Sequence, residues 1–163
     1  MDLNRIFITF FGTGLSPKAP GTVGSFAALL AGLLILEVVP MQTLFILTLV
    51  ITIIGIFEIN KYEKKTGTHD DKSIVIDEVS GMWIALMFAL ATAKTLNYSY
   101  VEEIAITASF GAFRLFDIWK PSIIGLIDEK VKGGVGVMGD DVIAGIAGGL
   151  LTVVLLLGLD KVL

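Results

Sequence analysis

With 163 residues and a formal net charge of −4, the chain is long enough for a single domain, 1–163. It is 55% hydrophobic and only 17% charged, with a mean hydropathy of +0.85; soluble domains carry about 25% charged residues, so too little polar side chain remains to cover a soluble surface, and membrane residence follows. The lack of a basic stripe excludes nucleic acid as a partner, and the lack of cysteine excludes disulfides, cysteine-rich metal centres and a cysteinyl-phosphate mechanism.

Residues 1–11 carry Arg5 and a short apolar patch, with no small-residue cleavage site after it. At roughly 9 apolar-leaning residues this segment is too short to span and reads as interfacial rather than as a signal peptide. Residues 12–25 follow as GTGLSPKAPGTVGS. Its glycines can expose backbone N–H groups, Ser16, Thr22 and Ser25 add hydroxyls, and Lys18 adds a positive charge beside a helix start that itself favours anions. The segment reads as a phosphate cradle or as a Gly/Pro turn entering the membrane. It is not a P-loop, because Gly-Lys-Ser/Thr is missing.

Five apolar stretches are expected as helical spans, at 22–39, 43–59, 79–96, 101–119 and 141–159. Each is about 27 Å long as a helix, near the hydrocarbon thickness of about 30 Å. Pro40 breaks the first from the second. Before the third lies THDDKSIVIDEVSG, residues 68–81. Asp77 and Glu78 there immediately precede a span, where acids are costly unless paired, hydrated or holding a cation. One carboxylate could cap the helix, but a second has no such use. Asp70, Asp71 and His69, the single histidine, read as solvated loop. Asn97, Tyr98 and Tyr100 suit an interface between the third and fourth stretches. The fourth carries Arg114 and Asp117 three apart, on one helical face, and Lys120 one turn on. A Gly-rich run then ends in Asp140-Asp141 at the start of the fifth. Gly145, Gly148 and Gly149 lie close to one stripe and suit close helix packing.

With five spans, the segments before the first, between the second and third, and between the fourth and fifth share one face. Nine Lys and Arg residues fall there (Arg5, Lys18, Lys61, Lys64, Lys65, Lys72, Lys120, Lys130, Lys132), against Lys94 and Lys161 on the other. Cytoplasmic loops are enriched in Lys and Arg, which makes the first face cytoplasmic. All the chemistry-bearing segments share it. Asp77, Glu78, Asp117, Asp140 and Asp141 are hard oxygen donors without Cys or a His cluster, which suits Mg²⁺ or Mn²⁺ rather than zinc. Lys18, Arg114 and Lys120 beside a Gly/Ser/Thr-rich loop suit a phosphate.

GTGLSPKAPGTVGS, IVIDEVSGMW and FRLFDIWKPSIIGLIDEKVKGGVGVMGDD, in this order and spacing, resemble the phosphatidylglycerophosphatase A family over nearly the whole chain. The resemblance implies an all-α, polytopic membrane bundle of a bacterial inner membrane, with a phospholipid substrate. It implies Mg²⁺-dependent hydrolysis of phosphatidylglycerophosphate to phosphatidylglycerol and phosphate. The metal and catalytic acids would be Asp77, Glu78, Asp117, Asp140 and Asp141, with Lys18, Arg114 and Lys120 as phosphate contacts. A water activated at the metal, or a carboxylate attacking directly, would displace the leaving group. A CDP-alcohol phosphotransferase is the alternative enzyme, but its D-G-x₂-A-R signature is missing. A cation transporter is the alternative of another class, and it would place acids in mid-membrane rather than at one face.

Overall fold

A computed structural model describes residues 2–69 and 71–162. Asp70, expected in a loop, lies outside the described residues. Among these the chain forms seven α-helices, one short 3₁₀ turn at Thr13–Leu15 and no strand. The helices are α1 (Leu3–Ile8), α2 (Pro20–Leu36), α3 (Met41–Thr66), α4 (Ile76–Ala93), α5 (Val101–Trp119), α6 (Ile123–Lys130) and α7 (Gly134–Asp160).

Local chemistry sets their ends. Pro20 opens α2, where a missing N–H costs nothing, and Pro40 precedes the first residue of α3. Gly67 closes α3 in the left-handed conformation at φ 73°, its N–H donating to the Glu63 carbonyl at 2.8 Å. Lys64 and Lys65 in that last turn complement the helix dipole.

Three helices, α3, α4 and α7, are long and apolar enough to cross a bilayer, and such helices mark a membrane protein. The other two expected spans fall short of that measure, α2 by its 17 residues and α5 by Glu102, Glu103, Arg114 and Asp117. The polarity of the molecule is inside-out in the way a lipid solvent requires. Phe45, Ile53 and Phe57 of α3 and Val154 of α7 are exposed, while Glu78, Asp117, Asp140 and Asp141 are buried.

α4 is the central helix and packs against α2, α3, α5 and α7. Val79, Met82, Trp83 and Leu86 fill the core around it, and Trp83 Nε1 donates to the Ala28 carbonyl of α2 at 2.7 Å. α7 approaches both α4 and α5 backbone to backbone: a Cβ on Gly145 would overlap the Gly81 main chain of α4, and one on Gly148 would overlap that of Phe113 of α5. The expected glycine seam is therefore a close crossing.

Two helices outrun their apolar stretches at the same end. α3 continues to Thr66 and α7 begins at Gly134, and Asn60 Oδ1 accepts the Gly134 N–H at 2.8 Å. At about 39 Å and 40 Å both exceed a hydrocarbon core and carry their polar turns past it. One expectation is corrected here. Asp140 and Asp141 do not start a helix but lie about two turns inside α7, so capping does not account for either.

Candidate active site

The N-terminal ends of α2, α4 and α7 meet the C-terminal end of α5, and the acids of α4, α5 and α7 converge there. α4 is preceded by Val75, which offers no side-chain cap, and Asp77 Oδ1 accepts the N–H of Glu78 at 3.0 Å. Glu78, 7% exposed, turns inward. Its Oε2 lies 2.6 Å from Ser25 Oγ and 2.7 Å from Arg114 Nη1. Gly21 permits this, because a Cβ there would overlap Glu78 Oε1 and reach 3.5 Å from the Arg114 guanidinium.

Arg114 ties α5 to α2 and α4. Its Nη1 also pairs with Asp117, one turn on, and lies 3.1 Å from Ser25 Oγ, while Nη2 reaches Thr22 Oγ1 at 3.3 Å. Lys120 ends α5 in a left-handed conformation, φ 44°, which costs a non-glycine residue about 1–2 kcal/mol. Its Nζ lies 2.6 Å from Asp128 Oδ1 of α6 and 2.7 Å from Asp140 Oδ2 of α7. Burial disfavours the ammonium, but the hydrogen bonds it donates to those two carboxylates outweigh this and raise the Lys120 pKa above the ordinary lysine value.

Glu78, Asp117 and Asp141 each offer one carboxylate oxygen, and all three lie within 4.8 Å of one another. Asp141 is 3% exposed, and its Oδ2 is buried without a hydrogen-bond partner among the described residues; Asp140 Oδ1 is in the same condition. A buried acceptor left unpaired is costly, and a cation at this point would satisfy it. The cluster can therefore hold a metal ion, and its all-oxygen donors fit a hard divalent one.

These groups line a cavity of about 210 Å³ together with Asp77, Asp140, Lys120 and the start of α2 at Pro20 and Gly21. Three further polar residues stand on its wall: Asp128, His69 and Lys72. His69 and Lys72 are exposed, as loop residues are, but the loop is knit in place. Asp71 accepts the Ser73 N–H at 2.9 Å, the Ser73 hydroxyl at 2.7 Å and the Tyr62 hydroxyl at 3.2 Å. The two Ser73 bonds, the backbone one foremost, hold its carboxyl below the ordinary aspartate range. The Val75 N–H completes the tie by donating to the Ile8 carbonyl at 2.9 Å.

The cradle anticipated over residues 12–25 divides. Ser25 and Thr22 contact Arg114, as above, but Ser16 turns its hydroxyl to the Lys18 carbonyl at 2.9 Å, and the Lys18 side chain is exposed. Neither Ser16 nor Lys18 lines the cavity. Asp128 escaped the sequence reading because α6 did; the only trace was Ile123, Ile124 and Ile127, one helical turn of apolar spacing.

A phosphatidylglycerophosphatase A family profile matches residues 6–156. The chain is 40% identical over 136 residues to phosphatidylglycerophosphatase A of Escherichia coli K12, covering 83% of this chain and 73% of that one. It is 38% identical over 136 residues to phosphatidylglycerophosphatase A of Haemophilus influenzae, covering 83% and 78%. It is also 37% identical over 142 residues to a putative phosphatidylinositol-3-phosphatase of Bacteroides thetaiotaomicron, covering 85% and 84%. No solved structure matches.

Proposed function

The chain belongs to the phosphatidylglycerophosphatase A family, and from that premise we propose that this phosphatase hydrolyses the terminal phosphate of phosphatidylglycerophosphate, giving phosphatidylglycerol and phosphate. It acts with Mg²⁺, in phospholipid biosynthesis, as a single multi-pass domain of a bacterial cytoplasmic membrane with its site on the cytoplasmic face. The observation that carries the reading is the convergence of the Glu78, Asp117 and Asp141 oxygens beside the Arg114 guanidinium, in a cavity at one end of apolar helices.

The residues divide the work. Glu78, Asp117 and Asp141 would hold the metal, with Asp77 and Asp140 beside them. The chemistry that Mg²⁺ supplies when bound there is neutralisation of charge on the phosphoryl oxygens. Arg114 keeps its charge in all conditions, and its Nε–H is buried without a partner among the described residues, so it has a donor left for a phosphoryl oxygen. Lys120, held protonated by Asp128 and Asp140, adds a second positive charge on the wall. A carboxylate not engaged with metal takes the proton of the attacking water. The acyl chains stay in the bilayer while the headgroup enters the cavity.

The relative named for phosphatidylinositol-3-phosphate favours a second reading, the same chemistry on another headgroup. The deciding experiment measures phosphate release in detergent micelles from phosphatidylglycerophosphate and from phosphatidylinositol-3-phosphate, with Mg²⁺ and with EDTA. Release from the glycerol ester, abolished by EDTA, is expected. Faster release from the inositol ester would move the assignment to that substrate. No release from either, with cation flux in vesicles instead, would replace the phosphatase reading with transport.

A further inference from the structure

Expelling a glycerol oxygen from phosphorus leaves an alkoxide, so the departing atom needs a proton as the bond breaks. The residues with the strongest claim on the phosphate cannot give one. Arg114 does not deprotonate, and Lys120 is clamped in its charged form between Asp128 and Asp140. The acids that converge on the metal position are ionised whenever a cation is bound to them.

His69 is placed differently. It is the one histidine in the chain and stands on the cavity wall. Its Nδ1 lies 2.6 Å from Glu63 Oε1, and the Glu63 side chain is only 15% exposed. A carboxylate on Nδ1 fixes which ring nitrogen is engaged and leaves Nε2 as the nitrogen that can hand on a proton. Glu63 belongs to the last turns of α3, and the loop that bears His69 is tied down by the Tyr62–Asp71 and Val75–Ile8 hydrogen bonds. The ring is thus held on the cavity wall rather than hanging from a free loop. Its side chain is 40% exposed, which gives it a route to exchange protons with solvent.

We propose that His69 is the general acid of the hydrolysis, with Glu63 as the residue that positions its ring; this rests on the phosphatase reading above. A water oxygen forms the new bond to phosphorus, and the bond from phosphorus to the glycerol oxygen breaks. The electron pair of that bond stays on the glycerol oxygen, which takes the proton from His69 Nε2. The proton lost by the water passes through a cavity carboxylate to solvent, and the neutral imidazole regains one from solvent.

The test varies the leaving atom. Phosphatidylglycerophosphate is compared with its analogue in which sulfur replaces the ester oxygen bridging phosphorus and glycerol, because a thiolate leaves without being protonated. His69→Gln is expected to lose roughly 10²–10³-fold in kcat on the oxygen ester and less than about threefold on the sulfur ester. Glu63→Gln is expected to show a smaller loss with the same dependence on the leaving atom, which a merely structural role for Glu63 would not produce. Equal losses on both esters, or no loss on either, overturn the assignment while the phosphatase reading stands. A parent enzyme inactive on both esters overturns that reading and this one with it.

Discussion

At the residue scale the site is a charge imbalance held in a low-dielectric interior. Asp77, Glu78, Asp117, Asp140 and Asp141 gather around Arg114 and Lys120, which form ion pairs among them, with Lys72 also on the cavity wall. Like charges this close repel, and the buried Oδ2 of Asp141 has no hydrogen-bond partner among the described residues. Removing that charge should therefore relieve the metal-free protein even as it destroys function. Asp141→Asn is expected to lower phosphate release about 10²-fold or more and to unfold in EDTA at a temperature a few degrees above the parent's, roughly 2–4 °C for each kcal/mol of relief. Mg²⁺ should raise the parent's midpoint, by about 2.7 kcal/mol of stability at a hundredfold excess over Kd, and leave the variant's unmoved. A variant that is less stable than the parent in EDTA would mean that Asp141 is satisfied in some other way.

At the element scale the geometry of the acids depends on how closely α4 and α7 approach. Glu78 stands one turn before Gly81 on α4, and Asp141 one turn before Gly145 on α7. The crossing at Gly81 and Gly145 sets the distance between their carboxylates. A methyl group at Gly145 has no room against the Gly81 backbone. Gly145→Ala is expected to cost about 1–3 kcal/mol through overpacking. It should also cost activity on the order of 10²-fold, since a 1 Å displacement of reacting groups does as much. Gly111→Ala is the control: nothing lies within 4 Å of a Cβ there, and alanine is the better helix former. It should keep both activity and stability, as read by phosphate release and thermal unfolding in detergent. If both variants behave alike, the crossing does not set the site.

At the scale of the whole molecule, the site end carries the lysine-rich loops and polar helix extensions, and residues 97–100 lie at the other end. The chain has no cysteine, so a single introduced thiol reports its own side of the membrane. With a membrane-impermeant maleimide on intact spheroplasts, Asn97→Cys is expected to label from outside and Lys132→Cys only after the membrane is opened. The reverse pattern would put the site on the outer face and contradict the charge bias of the loops.

Much of this was legible in the sequence. The apolar stretches located α2, α3, α4, α5 and α7 to within a few residues at most ends, since composition and length alone report a membrane helix. Acids beside apolar runs stood out because the bilayer penalises them. The Arg114–Asp117 pair was readable from a spacing of three, and the α7 seam from its glycines. What remained hidden were contacts between distant segments. α2 and α7 are apolar on nearly every face, so no periodicity says which side of them looks inward, and the rotation that brings Asp141 to Glu78 and Asp117 is set by packing. Lys120 meets Asp140 only because α6 folds the chain back between them, and His69 reaches the cavity only because its loop is pinned to α1 and α3. Sequence by itself determined the solvent, the helices and the inventory of acids, since these follow from local composition. Tertiary structure alone decided which acids converge on one point and which cations answer them, because those distances join residues far apart in the chain.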